Sequence, residues 1–220
     1  MTIKVSNYAA ENPDEAQKND ETDIVDGVLN SVSKLLSVSG EYVTAIETAL
    51  GAAVTNIVVE DEDSAKRAIA YLKERQAGRA TFLPLTSIKA NFIEESDLRS
   101  QKGYVGIGSA LVSCDKKYNV VAEYLLGRTI VADNIDNASV IARKYRFRYR
   151  IVTLDGQLIN TGGSFTGGSA VRESGMLTRQ NDIAKLNREI EKCKEDLVRV
   201  TKQRAEKEKA LRNKQNELSD

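Results

Sequence analysis

An internal duplication restricts the fold of this chain more than any other feature of its sequence. The segment YVTAIETALG at residues 42–51 aligns with YNVVAEYLLG at residues 118–127, and the two share a tyrosine, a glutamate, a leucine and a closing glycine. Further apolar and amphipathic segments recur in the same order after each copy, roughly 70 residues apart. A unit of helix, strand, helix and strand that occurs twice predicts an α/β globule with two lobes.

The periodicity of apolar residues predicts the elements of each copy. The first copy is predicted to contain a helix over 42–50 ended by Gly51, a strand over 56–60, a helix over 61–76 and a strand over 79–85. The second copy repeats the strand at 129–133, a helix from Asp136 and a strand over 148–154. A helix through Val28, Val32, Leu35 and Leu36 is predicted ahead of the first copy.

A glycine-rich stretch, residues 149–168, ends the second copy. Its apolar residues alternate around Asp155-Gly156, a pair that suits a tight hairpin turn because both residues tolerate positive φ. Four glycines then fall within seven residues: Gly162, Gly163, Gly167 and Gly168. This density costs chain entropy, so we expect backbones that approach closely or adopt positive φ. A sharp loop ahead of the next helix is the simpler interpretation.

Residues 177–220 are polar and contain neither glycine nor proline. Apolar side chains recur there in steps of three and four, the heptad seam of a coiled coil. The predicted seam consists of Ile183, Leu186, Ile190, Cys193, Leu197 and Val200. Because an isolated helix this polar is only marginally stable, the seam predicts a partner helix.

Composition argues against several classes of function. Lys+Arg and Asp+Glu number 32 each, so global attraction to nucleic acid is not indicated, and there is no histidine to act as the usual general base. The distant cysteines Cys114 and Cys193 predict a reducing compartment, and no apolar span predicts a signal peptide or a membrane helix. We expect a cytoplasmic protein with no cofactor and no metal, whose acidic residues 1–23 are flexible.

The segment GYVGIG at residues 103–108 raises the alternative of a nucleotide-binding α/β enzyme. No Gly-Lys-Ser/Thr follows it, and the strand–turn–helix context of a dinucleotide fingerprint is missing. No convergent carboxylates or nucleophile–base spacing occur elsewhere, so no catalytic residue is predicted. A connecting strand with close backbone packing is favoured for 103–108. Glu47 and Glu123 occupy equivalent places in the two copies, where we expect solvated helix faces or caps.

Together these segments resemble the hinge of the structural maintenance of chromosomes (SMC) proteins, and in particular the bacterial members. The residues that carry the resemblance are 45–51 (AIETALG), 78–85 (GRATFLPL), 103–106 (GYVG), 125–129 (LLGRT) and 149–168. The resemblance implies a hinge domain at 24–176, with lobe one at about 24–90, a connector at 91–115 and lobe two at 116–170. Residues 177–220 would begin the outgoing coiled-coil arm.

The resemblance implies a homodimerisation module of a nucleoid-associated ATPase that condenses and segregates chromosomes. Family hinges meet through both lobes about a two-fold axis, each lobe pairing with the opposite lobe of the other copy. On this basis Gly162, Gly163, Gly167 and Gly168 are the candidate interface residues. The family's incoming arm, which would pair with the outgoing helix, and its ATPase head are not recognisable in this sequence. The resemblance therefore implies a fragment of a longer protein or a naturally truncated product, itself without catalytic activity.

Basic residues near the end of lobe two suggest an accessory contact with DNA. On a strand, Arg146, Arg148 and Arg150 would share one face. The candidates for DNA contact are Lys144, Arg146, Arg148, Arg150, Arg172 and Arg179. Contact with phosphates predicts weak, salt-sensitive binding that is independent of sequence. A solvated sheet face is the alternative.

A third hypothesis is a coiled-coil scaffold with an incidental globule. In that case dimerisation would survive changes at the four glycines and would be lost on removal of residues 177–220.

Overall fold

Ten strands and six α-helices form within the described residues, 25–168 and 175–217, of the computed structural model. The strands are β1 (Val28–Ser31), β2 (Ser37–Val38), β3 (Ile57–Val59), β4 (Phe82–Pro84), β5 (Tyr104–Ile107), β6 (Val112–Ser113), β7 (Thr129–Ala132), β8 (Arg150–Thr153), β9 (Leu158–Ile159) and β10 (Phe165–Thr166). The helices are α1 (Val32–Leu35), α2 (Val43–Leu50), α3 (Glu62–Glu74), α4 (Asn119–Leu126), α5 (Ile135–Lys144) and α6 (Met176–Glu217). The chain divides into the compact units Met1–Thr178 and Arg179–Asp220. The predicted flexible segment 1–23 lies outside the described residues.

The predicted duplication is confirmed as two equivalent strand–helix–strand units. In the first, β3 and β4 pair in parallel and α3 connects them; in the second, β7 and β8 pair in parallel and α5 connects them. An antiparallel strand completes each arrangement, β1 beside β3 and β5 beside β7. The helices α2 and α4 precede the two units, and Gly51 ends α2 with a φ of +50°.

The two sheets differ in the strands added beyond the duplicated pair. One sheet has three strands in the order β1-β3-β4, and the other has five in the order β10-β9-β8-β7-β5. The additional strands β9 and β10 continue the second sheet beyond β8 by antiparallel pairing. The predicted hairpin at Asp155-Gly156 is confirmed, with Ile151 opposite Ile159 and Gly156 at a φ of +85°.

Equivalent side-chain caps start α3 and α5. The carboxylate of Asp61 accepts the amide N–H of Ser64 at 2.8 Å, and the side-chain oxygen of Asn134 accepts the amide N–H of Asn137 at 2.9 Å. Each cap satisfies a donor that the first turn of the helix leaves without an intrahelical partner. Hydrogen bonds from Ser64 also hold the pKa of Asp61 below its ordinary value.

Two elements predicted in the first half of the chain differ from those in the structure. The helix predicted through Val28 and Leu36 is instead β1 followed by the single helical turn α1. Antiparallel pairing of β1 with β3 satisfies backbone groups along Val28–Ser31, and this tertiary contact outweighs the helical spacing. The strand predicted over 79–85 is limited to Phe82–Pro84, which pairs with β3, and Gly78 has a φ of +82°.

A central hydrophobic core draws side chains from both copies. It combines Ile46 of α2 and Leu126 of α4 with Val58 of β3 and Val131 of β7, each 0% exposed. Leu177, in the first turn of α6, belongs to the same core and is 2% exposed. The two halves therefore share this apolar interior.

A second core lies on the other face of the five-stranded sheet. Alternate residues of a strand point to opposite faces, so Ile130 of β7 and Ile151 of β8 join Ile141 of α5 there, while Val131 and Val152 face the central core. Both faces of β7 and β8 are thus covered, which explains the unbroken apolar runs in their sequences.

The segment 103–108 is a connecting strand, as predicted. β5 occupies most of it and pairs with β7, and Asp133 N–H donates to the carbonyl of Gly103 at 2.9 Å. A Cβ on Gly103 would lie 2.4 Å from the Cβ of Asn137, so glycine is required by close packing as well as by its φ of +78°. Further along the connector, β6 pairs with β2, and this pairing attaches the connector to lobe one.

None of the helices within residues 25–168 and 175–217 has the length and apolar content that a membrane span needs.

We predict that Ile46→Ala destabilises the whole globule by about 3 kcal/mol, since it empties a fully buried position in the shared core. Urea unfolding followed by circular dichroism measures the change. Ile69→Ala on α3 is the control, because Ile69 is 53% exposed, and it is expected to cost less than about 1 kcal/mol. Unfolding of the two halves in separate transitions would contradict a shared core.

Candidate dimer interface

The two sheets present unequal edges at equivalent places. β4 ends the three-stranded sheet, whereas its counterpart β8 is continued by β9 and β10, so that β10 ends the five-stranded sheet. An edge strand carries backbone N–H and C=O groups that another strand can pair with. β4 and β10 are thus edges at which a sheet can be extended, and β1 and β5 are the edges at the opposite ends of the two sheets.

β10 is the more exposed of the two edges. Phe165 is 54% exposed and Thr166 is also exposed, while on β4 Leu83 is buried and Phe82 and Pro84 are half-buried. A large exposed aromatic side chain on an edge strand offers apolar area that a second surface can cover. The glycine-rich stretch thus brings an apolar side chain and the backbone of a sheet edge together.

The structure favours glycine at these four positions for different physical reasons. Gly162, Gly163 and Gly168 have φ values of +89°, +97° and +143°, a region that side chains disfavour. A Cβ on Gly162 or Gly168 would meet nothing within 4 Å. Gly167 has no positive φ, but a Cβ there would lie 1.9 Å from Oε1 of Gln157. Their role in an interface between chains stays a prediction.

Gln157 clamps the exit of β10. Its Oε1 accepts the amide N–H of Gly168 at 3.0 Å, and its Nε2 donates to the carbonyl oxygen of Gly168 at 3.1 Å. The side-chain amide thereby makes both hydrogen bonds that a neighbouring strand would make. Gly167 is small because this amide lies against it.

The turn between β9 and β10 is tied down by backbone hydrogen bonds. Asn160 N–H donates to the carbonyl of Ser164 at 2.8 Å, and Gly163 N–H donates back to Asn160 at 2.9 Å. Gly162 N–H donates to the carbonyl of Phe147 at 2.9 Å, which anchors the turn to the segment after α5. β10 therefore has a defined position at the end of the sheet.

The strand predicted over 148–154 begins only at Arg150, and the shared face predicted for three arginines is wrong. Arg146 and Phe147 both have a φ of +54°, because the chain turns sharply between α5 and β8. Arg146 lies in this turn and Arg148 precedes the strand, so neither aligns with Arg150. Tertiary packing of α5 against the sheet decides this turn.

Several of the predicted DNA-contact residues have partners within the chain. Lys144 pairs with Asp97 at 2.5 Å and Arg148 pairs with Glu95, while Arg150 Nη1 donates to the carbonyl of Ala49 at 2.7 Å. The side chain of Arg146 is exposed. Arg179 makes an interaction within the described residues, and Arg172 lies outside them. The role of all six in DNA contact stays a prediction.

Two tyrosines complete the contact between the connector and lobe two. Tyr145 donates its hydroxyl to Asp97 at 2.8 Å, and Tyr149 donates to Glu95 at 2.9 Å. Burial of the ring, together with the carboxylate of Asp97, raises the pKa of Tyr145 to about 12, so the hydroxyl remains a donor at neutral pH. The lysine and tyrosine hydrogen bonds to Asp97 hold its pKa below the ordinary value.

The second unit contains the remainder of α6, which ends at Glu217. Its predicted seam residues Ile183, Leu186, Ile190, Leu197 and Val200 are 50% to 67% exposed, and Cys193 is exposed as well. Pairs three or four residues apart, such as Lys194–Glu191 and Arg204–Glu208, line the helix. Such pairs contribute only about 0.3 kcal/mol each, so burial of the seam against another helix is the larger source of stability available.

The predicted helix from residue 177 is present and begins one residue earlier, at Met176. The described residues contain no group of three or more His, Cys, Asp or Glu side chains placed to hold a metal ion.

Sequence reasoning did not find the clamp by Gln157 or the pairing of Glu95 and Asp97 with the basic residues. These contacts join residues 11 to 53 positions apart, and no local pattern marks them. The sequence predicts Glu47 either on a solvated helix face or as a cap. The structure shows a cap, because its carboxylate accepts N–H groups at the start of α6.

Comparison with known proteins gives a consistent result. Residues 25–142 match the family model described as "SMC proteins Flexible Hinge Domain". The Chromosome partition protein Smc of Lactiplantibacillus plantarum is 38% identical over 188 residues, which are 84% of this chain but only 16% of that protein. The counterpart in Bacillus subtilis is 36% identical and is likewise covered over only 15% of its length.

Solved hinge structures also match this fold. The SMC hinge domain of Geobacillus stearothermophilus, solved as an asymmetric dimer, is 37% identical with a TM-score of 0.74. That match covers 90% of this chain and 78% of the other. The hinge domain of the Pyrococcus furiosus SMC protein is 35% identical with a TM-score of 0.56, covering 69% and 77% of the two chains.

We predict that Gln157→Ala and Gly167→Ala each accelerate hydrogen exchange of the Gly168 amide by roughly tenfold, because each removes the same clamp. The alanine methyl group at residue 167 would occupy the position of Gln157 Oε1. The double variant is expected to exchange no faster than either single variant, and additive effects would contradict a shared clamp. Gly162→Ala is the control, since it strains φ in open space and leaves the clamp intact.

Proposed function

Because this chain belongs to the family of SMC flexible hinge domains, we propose that it is a homodimerisation hinge that joins two copies and the coiled-coil arms attached to them. The observation that carries the proposal is the pair of unequal sheet edges, β4 and β10. One half of the duplication has two additional strands and the other lacks them. A second copy can supply at β4 what the first half does not contain.

Two-fold symmetry makes this pairing self-consistent. If β10 of one copy lies beside β4 of its partner, the symmetry axis creates the same contact a second time. Both contacts extend a sheet by main-chain hydrogen bonds and cover the exposed ring of Phe165. Gly162, Gly163, Gly167 and Gly168 shape the edge of β10, which supports their assignment to the interface.

The outgoing helix α6 supplies the arm that the hinge joins. Its exposed apolar seam supports pairing with a second helix, for which we propose the incoming arm of the family. By relation to the chromosome partition proteins, we propose that the full protein acts on the chromosome in the cytoplasm at the nucleoid. The hinge itself is proposed to work mechanically, without a catalytic step or a cofactor.

The alternative of a nucleotide-binding enzyme receives no support. Its only motif, GYVGIG, forms a strand paired with β7 and not a phosphate-binding turn ahead of a helix. A Cβ on Gly106 would already lie 3.0 Å from the side chain of Leu111, so the space beside this glycine is filled by the chain itself.

Contact with DNA is proposed as an accessory role. Because Lys144 and Arg148 are paired with connector carboxylates, we expect weak binding through phosphates alone. Fluorescence anisotropy with a duplex is expected to give an affinity that falls steeply between low and moderate salt, with no preference for sequence. An affinity that does not change with salt would contradict the proposal.

We predict that Phe165→Glu weakens the dimer by at least about tenfold, because it places a charge in an apolar contact at the centre of the proposed interface. Sedimentation velocity of the full chain over a range of concentrations measures the dissociation constant. Val140→Glu on α5 is the matched control, since Val140 is 59% exposed and lies on a helix and not on an edge strand. Equal weakening by the two variants would argue against the β10 edge.

The scaffold hypothesis makes the opposite prediction. If the coiled coil alone dimerises, Phe165→Glu leaves the dimer intact and removal of residues 179–220 abolishes it. The truncation should keep Leu177 and Thr178, because Leu177 is part of the central core. A truncated chain that still dimerises, but only with Phe165 present, supports the hinge.

A further inference from the structure

Glu47 of α2 reaches across the sequence to the start of α6. Its Oε1 accepts the amide N–H groups of Leu177 at 2.6 Å and Thr178 at 3.1 Å, and its Oε2 accepts the hydroxyl of Thr178 at 3.0 Å. The first N–H groups of a helix have no intrahelical partner and carry partial positive charge. A carboxylate supplied from 130 residues earlier in the chain satisfies two of them.

The surroundings of this carboxylate fit the contact closely. A Cβ on Gly175 would lie 2.1 Å from Oε2 of Glu47, so the chain enters α6 directly against the carboxylate. Gly175 does not have a positive φ, so its small size matters here and not its backbone freedom. The side chain of Leu177 is buried in the central core beside α2. The first turn is thus held by hydrogen bonds and by burial at the same time.

The helix α2 also receives a contact from lobe two. Arg150 of β8 donates from Nη1 to the carbonyl of Ala49 at 2.7 Å, in the last turn of α2. That carbonyl belongs to the negative end of the helix, where the last turn leaves carbonyl groups without intrahelical donors. α2 is therefore bonded at its side chain to the start of α6 and at its end to the five-stranded sheet.

We propose that Glu47 is the positioning residue that makes the first turn of α6 part of the cooperative fold of the globule. The turn then opens only when the globule unfolds, and a load on the helix reaches α2 and, through Arg150, β8. This role gives the proposed hinge its attachment to the arm, so its biological meaning rests on the proposed function. The attachment itself can be measured whether or not the chain dimerises.

Glu123 provides an internal control for this assignment. It occupies the place of Glu47 in the second copy, and the carbonyl groups of both residues accept the N–H of the glycine that ends their helix. Within the described residues, however, no helix start donates to the carboxylate of Glu123. The two copies thus contain equivalent glutamates, and of these Glu47 caps the start of α6.

Hydrogen exchange on the full chain tests the proposal at the amides of Leu177 and Thr178. In the wild-type protein these amides are expected to exchange at the rate of the most protected amides in the central core. Glu47→Ala is expected to accelerate them by roughly tenfold or more while the core amides change much less, because charge-assisted hydrogen bonds are lost locally. Glu123→Ala is expected to leave both amides unchanged.

Gly175→Ala gives an independent variant that keeps every charge. Its methyl group would displace the Glu47 carboxylate and should accelerate the same two amides, with no further effect in combination with Glu47→Ala. Wild-type rates in Glu47→Ala, equal acceleration in Glu123→Ala, or a uniform acceleration of all core amides would each overturn the proposal. The dimer dissociation constant is expected to remain unchanged in Glu47→Ala, so failure of this inference is distinct from failure of the proposed hinge.

Discussion

The shared central core is the constraint on which the rest of this globule depends. A duplicated chain could have formed two small lobes, each with its own interior, but small interiors bury too little apolar area to be stable. Here Ile46, Leu126, Val58 and Val131 come from both copies and both sheets and are completely buried together. The halves consequently hold each other in place, and the positions of the two sheet edges are fixed by the same packing.

The difference between the copies matters as much as their similarity. Had both ended with the same strands, the globule would present two identical edges. The hairpin β8–β9 and the clamp of Gln157 on Gly168 instead extend only the second sheet. One edge then carries additional strands and the other, β4, lacks them. If β10 of one copy pairs with β4 of the other, a two-fold axis repeats the contact and uses both of these edges.

The ion pairs and hydrogen bonds of the basic residues in lobe two mainly hold the globule together. The basic residues after α5 looked in the sequence like an arginine face open to a polyanion. In the folded chain Glu95 and Asp97 approach them, and both carboxylates also accept tyrosine hydroxyl groups. The ion pairs are partly exposed and individually weak, but the tyrosine contacts are partly buried. Together they attach the connector to the second sheet.

The sequence by itself determined the duplication, the helices α2 to α5, the strand–helix–strand units, the hairpin at Asp155-Gly156 and the long helix α6. These depend on periodicity, capping residues and turn chemistry, which act over a few residues. Tertiary structure alone decided that Val28–Ser31 is a strand, that Arg146 and Phe147 form a turn, and that Gln157 and Glu47 bind backbone distant from them. These outcomes come from partners far away in the chain, whose pairing energy outweighs local preference and leaves no periodic mark in the sequence.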